Sequence, residues 1–198
     1  MKRVTRTSVI PLAAVMLLLA AGARLAVAAE TPLDDDPRNR GIQHFEAGRL
    51  AEAEAAFLAA LDNDQNDSIS HAYLGRIALQ LDDPDKAIER LEAAVELNED
   101  DSMAHTWLAS AYLAKLRSLP FMEQAKYTHK ILDQLKTAIE LDGDNLEART
   151  ILANYYVEAP AIGGGDLNKA REQIAIIKEK DPGLGAKLEA QLLPHDEK

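Results

Sequence analysis

Apolar residues recur at steps of three and four along most of the chain, as expected of helices that bury one face. Two such stripes occupy residues 68–101, and Asp82-Asp83-Pro84 separates them. Pro84 stands where a helix can begin, because the first helical turn does not need the missing N–H. The pattern predicts two helices joined by a tight turn. The residues along these two stripes are His71, Leu74, Gly75 and Ala78, then Ala87, Leu91, Ala94, Val95 and Leu97.

The same pattern repeats along the chain. A shift of 34 residues places Gly41 on Gly75 and Leu74 on Leu108, and a shift of 44 residues places Leu108 on Leu152. A final shift of 39 residues lays Asp142-Gly143 over Asp181-Pro182. A repeat of about this length, with insertions in the last two units, predicts stacked helix pairs that share one continuous core. The predicted domain spans 34–194, with helix pairs at 34–67, 68–101, 102–145 and 146–184, a capping helix at 184–193 and a tail at 195–198.

The second unit, SHAYLGRIALQLDDPDKAIERLEAAVELNEDD, resembles the tetratricopeptide repeat family. Small residues such as Gly75 and Ala87 stand where that family brings two helices close together, and larger ones such as Leu91 fill the gaps. The resemblance implies an all-α fold, an α-solenoid of about four helix pairs with a C-terminal capping helix. The third unit departs from the template because it is ten residues longer, and its second helix is predicted to reach Leu141, about two turns beyond the usual length.

The resemblance also implies where a partner would bind. In this family the first helix of each pair lines a concave groove, and the groove positions lie just beside the core stripe. Such a groove fits an extended peptide or a partner helix. The repeated Lys and Asn pattern with which some family members clamp a terminal carboxylate does not occur here. The predicted groove residues are Arg38, Ile42, Phe45, Arg76, Leu79, Thr106, Ser110, Leu113, Asn154 and Val157.

A glycine-rich stretch, EAPAIGGGDLNKA, invites comparison with phosphate-binding loops. It lacks the Gly-Lys-Ser/Thr ending of a P-loop and the glycine spacing of a dinucleotide loop, and it follows a predicted helix where both motifs follow a strand. We therefore interpret it as a long turn between a helix that Pro160 ends and a helix that Asp166 caps. Candidate contacts at the edge of the stack are Phe121, Met122, Ile162, Gly163, Gly164 and Gly165.

The first 28 residues have the features of a secretory signal peptide: basic residues, an apolar run of about 14 residues, and Ala26-Val27-Ala28 as a cleavage site. We predict cleavage after Ala28, a short linker at 29–33, no membrane insertion of the mature chain, and a periplasmic location. The removed segment carries four basic residues, so cleavage would change the net charge from −11 to −15. A chain this acidic is unsuited to nucleic acid, because phosphate binding needs clustered Lys and Arg.

No catalytic residue, metal site or cofactor is predicted. The chain has no cysteine, and no serine or histidine motif of a hydrolase or metalloprotease occurs. Ser68 and Ser102 open helices of successive repeats, where capping explains them. His71 and His105 occupy the same position of successive repeats, and we interpret both as structural.

These observations favour a non-enzymatic adaptor that binds a protein or peptide partner in envelope assembly or transport. Two alternatives stay open: a small-ligand carrier or accessory subunit of a transporter, in which the groove and the glycine loop enclose a solute, and a hydrolase that uses the long helix and the glycine loop. Pairing of two stacks into a homo-oligomer also stays open.

Overall fold

The computed structural model describes residues 36–196, apart from the side chains of Phe121 and of residues 193–196. The predicted signal peptide (1–28), the linker (29–33) and the last two residues of the chain lie outside the described residues. Within them the fold is all-α, as predicted, and consists of helices in sequential pairs. The helices are α1 (Pro37–Glu46), α2 (Leu50–Asn63), α3 (Ser68–Gln80), α4 (Pro84–Leu97), α5 (Ser102–Arg117), α6 (Phe121–Leu141), α7 (Leu146–Glu158), α8 (Leu167–Lys180) and α9 (Pro182–Asp196).

Acidic and amide side chains set the starts of most helices. The Asp101 carboxylate accepts hydrogen bonds from the backbone N–H groups of Met103 and Ala104 at 2.9 and 3.1 Å, and so caps α5. This corrects the prediction that Ser102 is the cap, since Ser102 is the first helical residue and its hydroxyl donates to the Ala138 carbonyl at 2.9 Å. Ser68 is likewise the first residue of α3, one position after the boundary residue Asp67. The predicted cap Asp166 is confirmed, with its carboxylate accepting from the N–H groups of residues 168 and 169.

The two helices of each pair meet through small residues opposite large ones. A Cβ on Gly75 would overlap the Leu91 side chain, so only glycine allows this approach of α3 to α4. Leu91 is fully buried, as are the residues at the same repeat position in α2 and α6, and the one in α8 is 2% exposed. A repeating row of buried side chains therefore runs through the second helices of all four pairs: Phe57, Leu91, Leu135 and Ile174.

The third pair is the longest, as predicted. Helix α5 has 16 residues where α3 has 13, and α6 has 21 where α4 has 14. Three of the ten extra residues thus extend α5 and seven extend α6, which places about two additional turns at the start of α6. These turns lie beside the end of α7, and they form one wall of the site described below.

The first helices of the pairs form one face of the stack. Helix α3 contacts α1 and α5, and α5 contacts α7, in addition to the contacts between helices adjacent in sequence. We call this surface of α1, α3, α5 and α7 the inner face. The capping helix α9 packs on α8 and is longer than predicted, because it begins at Pro182 and continues to Asp196. Asp181 explains the early start, since its carboxylate accepts from the Leu184 N–H at 2.9 Å. In the described part of the chain, none of the helices combines the length and hydropathy needed to cross a bilayer.

Candidate functional site

Two rows of side chains cross the inner face at repeat-equivalent positions. One row is polar from α3 onward, with Arg76, Ser110 and Asn154, and the other is apolar, with Leu79, Leu113 and Val157. All six are partly exposed, as are Arg38, Ile42 and Phe45 on α1. Nine of the ten predicted groove residues therefore reach solvent on one face. The rows lie three residues apart on each helix, so a chain lying across the helices would meet both.

Thr106 is the exception, and the prediction that it lines the groove is wrong. Its side chain is fully buried between α5 and α7. The Thr106 hydroxyl donates to the Ser102 carbonyl at 2.8 Å and accepts from the Asn145 side-chain amide at 2.9 Å. Asn145 also caps α7 by accepting from the Ala148 N–H at 2.9 Å. Thr106 is thus part of the hydrogen bonding that fixes α7 on α5, and a partner cannot reach it.

Arg76 lies between two aromatic rings on the inner face. Its guanidinium carbon is 4.9 Å from the centroid of the Phe45 ring and 4.7 Å from that of Trp107. Tyr73 joins the same cluster, with edge-to-face contacts to both rings at centroid distances of 5.3 and 5.7 Å. The aromatic cluster therefore holds the cation in place across α1, α3 and α5. Sequence reasoning included Arg76 and Phe45 in the groove, but the roles of Tyr73 and Trp107 were missed.

A pocket of about 580 Å³ lies between the end of α5, the first half of α6, the end of α7 and the loop that follows α7. We call it the insertion pocket, because the extra turns of α6 form one of its walls and the glycine-rich loop forms another. The larger apolar residues of its lining are Leu113, Leu116, Met122, Ile151, Tyr155 and Ile162, and its charged or titratable residues are Arg117, His129 and Glu158.

The insertion pocket joins two sets of predicted residues. Leu113 and Asn154 belong to the inner-face rows, so the pocket continues the groove. Met122, Ile162 and Gly163 were predicted as edge contacts, and all three line the pocket. Met122 and Ile162 are each 87% exposed, which is unusual for large apolar side chains and is typical of interaction surfaces. Gly164 and Gly165 lie in the loop but not in the lining, and the Phe121 side chain lies outside the described residues.

The loop between α7 and α8 has a defined structure. A short 3-10 turn at Ala161–Gly163 follows Pro160, and Gly164 adopts a left-handed conformation with φ of 89°. The Tyr155 hydroxyl donates to the Gly163 carbonyl at 2.6 Å, and the Asp166 N–H donates to the Tyr156 carbonyl at 2.9 Å. These hydrogen bonds hold the loop against the end of α7. The prediction that the three glycines form a turn is confirmed, and the turn is also a wall of the pocket.

A polar network lies on the other side of α5. The Tyr112 hydroxyl donates to the Glu92 carboxylate at 2.6 Å, and the Lys130 ammonium lies 3.2 Å from the same carboxylate oxygen. Burial, followed by the bond to Glu92, raises the pKa of Tyr112 to about 12. Burial alone would raise the pKa of Glu92, but the hydrogen bonds from Tyr112 and Lys130 outweigh it and hold that pKa below its ordinary value. We interpret the network as structural, because it ties α4, α5 and α6 together.

The histidines that share a repeat position make equivalent hydrogen bonds. The Nε2 atoms of His71 and His105 lie 3.1 and 2.9 Å from the carbonyl oxygens of residues 65 and 99, six positions earlier in each case. Arg149 takes the same place in α7 and donates to the Gly143 carbonyl at 2.9 Å. All three side chains therefore secure the turn before a helix. Among the described residues, no group of three or more His, Asp or Glu is arranged to hold a metal ion.

Comparison with known proteins agrees with this architecture. A family model described as tetratricopeptide repeat matches residues 73–118. The peroxisomal targeting signal receptor of Candida albicans is 35% identical over 85 residues, which are 42% of this chain and 14% of the length of that protein.

Solved structures with the same fold cover more of the chain. The crystal structure of MamA matches 72% of this chain and 75% of its own, with 24% identity and a TM-score of 0.56. A thermophilic TPR protein from Thermus thermophilus matches 79% of this chain and 97% of its own, with 21% identity and a TM-score of 0.54. Together with the helix pairs and their repeating core, these similarities show the fold of a tetratricopeptide repeat solenoid, and residues 73–118 match the tetratricopeptide repeat model itself.

Proposed function

We propose that this protein is a non-enzymatic scaffold that binds a segment of another protein along the inner face and in the insertion pocket. Tetratricopeptide repeat stacks are interaction scaffolds in general, because a curved row of helices presents an extended surface. The specific proposal rests on one observation: the two rows of the inner face lead into a pocket whose outer residues, Met122 and Ile162, are 87% exposed.

The composition of this surface favours a peptide segment over a charged small molecule. The apolar row and the apolar pocket wall offer contacts to side chains that alternate along an extended chain, while Ser110 and Asn154 can hydrogen-bond to its backbone. A partner that covered Met122 and Ile162 would also remove apolar surface from water, which is favourable by roughly 25 cal/mol per Å². Binding of this kind needs no catalytic group, and the proposal assigns none.

Site-specific photo-crosslinking tests the proposal directly. A photoreactive phenylalanine analogue would replace Leu113 on the inner face, Ile162 at the pocket, or Glu89 as an exposed control on α4, in cells of the native host. We expect the first two positions to give the same crosslinked partner and the control to give none. Identical products from all three positions, or no product from Leu113 and Ile162, would contradict the proposal.

We further propose that the partner is met in the bacterial periplasm, in envelope assembly or transport. The support for this location is the sequence of residues 1–28, which combines basic residues, an apolar run and an Ala-Val-Ala site. Expression of the full sequence with a C-terminal tag, followed by fractionation and N-terminal sequencing, tests it. A mature chain that begins at Ala29 in the periplasmic fraction is expected, whereas an uncleaved chain in the cytosol would refute this location.

The second candidate function is a carrier of small ligands or an accessory subunit of a transporter. The observation that favours it is the volume of the insertion pocket, about 580 Å³, which falls within the range of small-molecule sites. A thermal-shift screen of metabolites distinguishes the two functions. A saturable shift of several degrees that Ala125→Trp abolishes would support the carrier, because Ala125 lines the pocket and Trp would fill it.

A further inference from the structure

We infer that the partner segment carries one acidic side chain, which pairs with Arg76, and a large apolar side chain, which enters the insertion pocket five or six residues away. This inference rests on the proposed function and specifies the chemistry of the partner. It is carried by an arginine that the inner face holds in position without an anionic partner of its own.

The first step concerns hydrogen bonding around Arg76. Within residues 36–196, its guanidinium makes no ion pair or hydrogen bond, and the buried indole N–H of its neighbour Trp107 has no acceptor either. Both groups are donors, and neither has an acceptor within residues 36–196. Several other cations of the described residues do have an anionic partner within the chain, such as Lys86 with Glu54 at 2.6 Å. A carboxylate supplied by a partner would complete the site, because the guanidinium fork matches a carboxylate in a bidentate manner.

The second step concerns preorganisation. The rings of Phe45 and Trp107 lie 4.9 and 4.7 Å from the guanidinium carbon, so Arg76 is held between them before a partner arrives. Most of the rotamer entropy of a long side chain is therefore lost already in the free protein, and it does not have to be lost again on binding. The N–H groups of Arg76 have no acceptor within residues 36–196, so they are available to a partner.

The third step concerns charge. The whole chain has a net charge of −11, which repels strongly acidic ligands over a distance of several ångströms. Arg76 is a local exception to that charge. The fitting partner is therefore a segment with a single acidic side chain among neutral or basic residues. A terminal carboxylate is not required, because the inner face continues past Arg76 on both sides, to α1 and to α5.

The last step sets the spacing. Arg76 lies on α3, and the far wall of the insertion pocket is formed by the end of α7 and the loop after it, with α5 between this wall and α3. Packed helices are about 8–10 Å apart, so the two sites are separated by about 16–20 Å. An extended chain advances about 3.3–3.6 Å per residue, which corresponds to about five or six residues.

A peptide series tests the inference with the whole protein. The probes are fluorescein-labelled peptides with a blocked N-terminus and an amidated C-terminus, built from Ser, Thr and Gly with one Lys. Each contains one Glu and one Leu, three to eight residues apart and in either order. Fluorescence polarisation should show the tightest binding at a separation of five or six residues. Replacement of the Glu by Gln should weaken binding by about tenfold to a hundredfold, the usual effect of a charge-assisted hydrogen bond.

Protein variants identify the two contacts. Arg76→Gln should weaken binding of the Glu peptide by the same factor and leave binding of the Gln peptide unchanged. The effects of the protein substitution and of the peptide substitution are then not additive. Arg76→Lys should retain part of the affinity, and circular dichroism should show that both variants fold. Ala125→Trp should abolish binding by filling the pocket, whereas Lys126→Trp, exposed on α6 outside the lining, should not.

Several outcomes would overturn the inference. One is that Arg76→Gln lowers the affinity for the Glu and Gln peptides equally, and another is that Arg117→Gln lowers the affinity for the Glu peptide as much as Arg76→Gln does. The other two are binding only of peptides with a free C-terminal carboxylate, and no saturable binding of any peptide. If the photo-crosslinks from Leu113 and Ile162 persist in the Arg76→Gln variant, the proposed function stands and this inference fails. If those crosslinks are absent from the native protein, the proposed function itself fails.

Discussion

Alanine substitutions at the three adjacent glycines in the loop after α7 should lower the free energy of unfolding by different amounts, because a Cβ at each position would meet different neighbours. A Cβ on Gly163 would lie 3.4 Å from the Pro160 side chain, which is an ordinary contact. Gly164 has φ of 89°, and its Cβ would lie 3.3 Å from the Leu132 side chain. A Cβ on Gly165 would overlap the backbone carbonyl oxygen of Ala159, which cannot rotate away as a side chain can.

The expected losses in the free energy of unfolding follow from these contacts. Gly163→Ala should change the free energy of unfolding by less than about 0.5 kcal/mol. Gly164→Ala should cost about 1–2 kcal/mol, the penalty of a left-handed conformation for a residue with a Cβ. Gly165→Ala should cost about 3 kcal/mol, at the upper end of overpacking, because backbone must move. For a domain of this size 1 kcal/mol lowers the Tm by about 2–4 °C, so Gly165→Ala should lower it by about 6–12 °C.

Thermal and urea unfolding of the three variants, followed by circular dichroism, measure this series. The Tyr155 hydroxyl bonds to the Gly163 carbonyl, which alanine retains, so Gly163→Ala also serves as the control for the loop. Near-wild-type stability of Gly165→Ala would show that the loop is not held against Ala159. Equal costs at all three positions would refute the reasoning from individual contacts.

Three further predictions concern the core and its polar contacts. Leu91→Ala should lower the free energy of unfolding in urea by about 2–5 kcal/mol, because Leu91 is fully buried. Leu97 is 40% exposed, so Leu97→Ala should lower it by less than about 1 kcal/mol. Asn145→Ala should cost about 2–4 kcal/mol, because it removes the cap of α7 and the amide that donates to the hydroxyls of Ser102 and Thr106 on α5, and Asn145→Asp should recover only the cap. Because the pKa of Tyr112 is raised to about 12, its contribution to stability is complete below pH 10 and is lost as the pH rises to about 12. Tyr112→Phe should flatten the pH dependence of the Tm in that range, and an unchanged slope would exclude this linkage.

The helix pairs could be predicted because each repeat has the same core positions. The positions of Gly75, Ala87 and Leu91 have equivalents in the other repeats, and packing restricts the size of the residue at each of them. Exposure at the inner face was harder to predict, as Thr106 shows. The same repeat position is held by Arg38 in α1, whose long side chain is partly exposed and pairs with Asp36 and Asp67, and by Thr106 in α5, whose short side chain is buried and bonds to Asn145. Position within a repeat therefore does not determine exposure, because it also depends on the length of the side chain and on its polar contacts.

The insertion pocket could not be predicted from the sequence, although both of its unusual walls could be recognised there. The length of α6 follows from the repeat shift, and the length of the glycine loop follows from comparison with the shorter turns. Their meeting depends on the angle at which α6 passes the end of α7, and helix crossing angles scatter by about 15–20° for any given pattern. About forty residues separate Met122 from Ile162, so no local signal connects them.

The position of the pocket also follows from the constraints on a repeat stack. Core residues of one pair must fit those of the next, so a change there is costly at two interfaces. Free variation is confined to the inner face, the turns, and helix ends that extend past the shared core. The unpaired Arg76, the glycine loop and the two extra turns of α6 occupy these three kinds of place. Exposed apolar side chains such as Met122 and Ile162 are unfavourable for the isolated chain, and at 87% exposure they contribute little to the core of the stack. Their presence at the end of the inner-face rows is best explained by a partner that covers them.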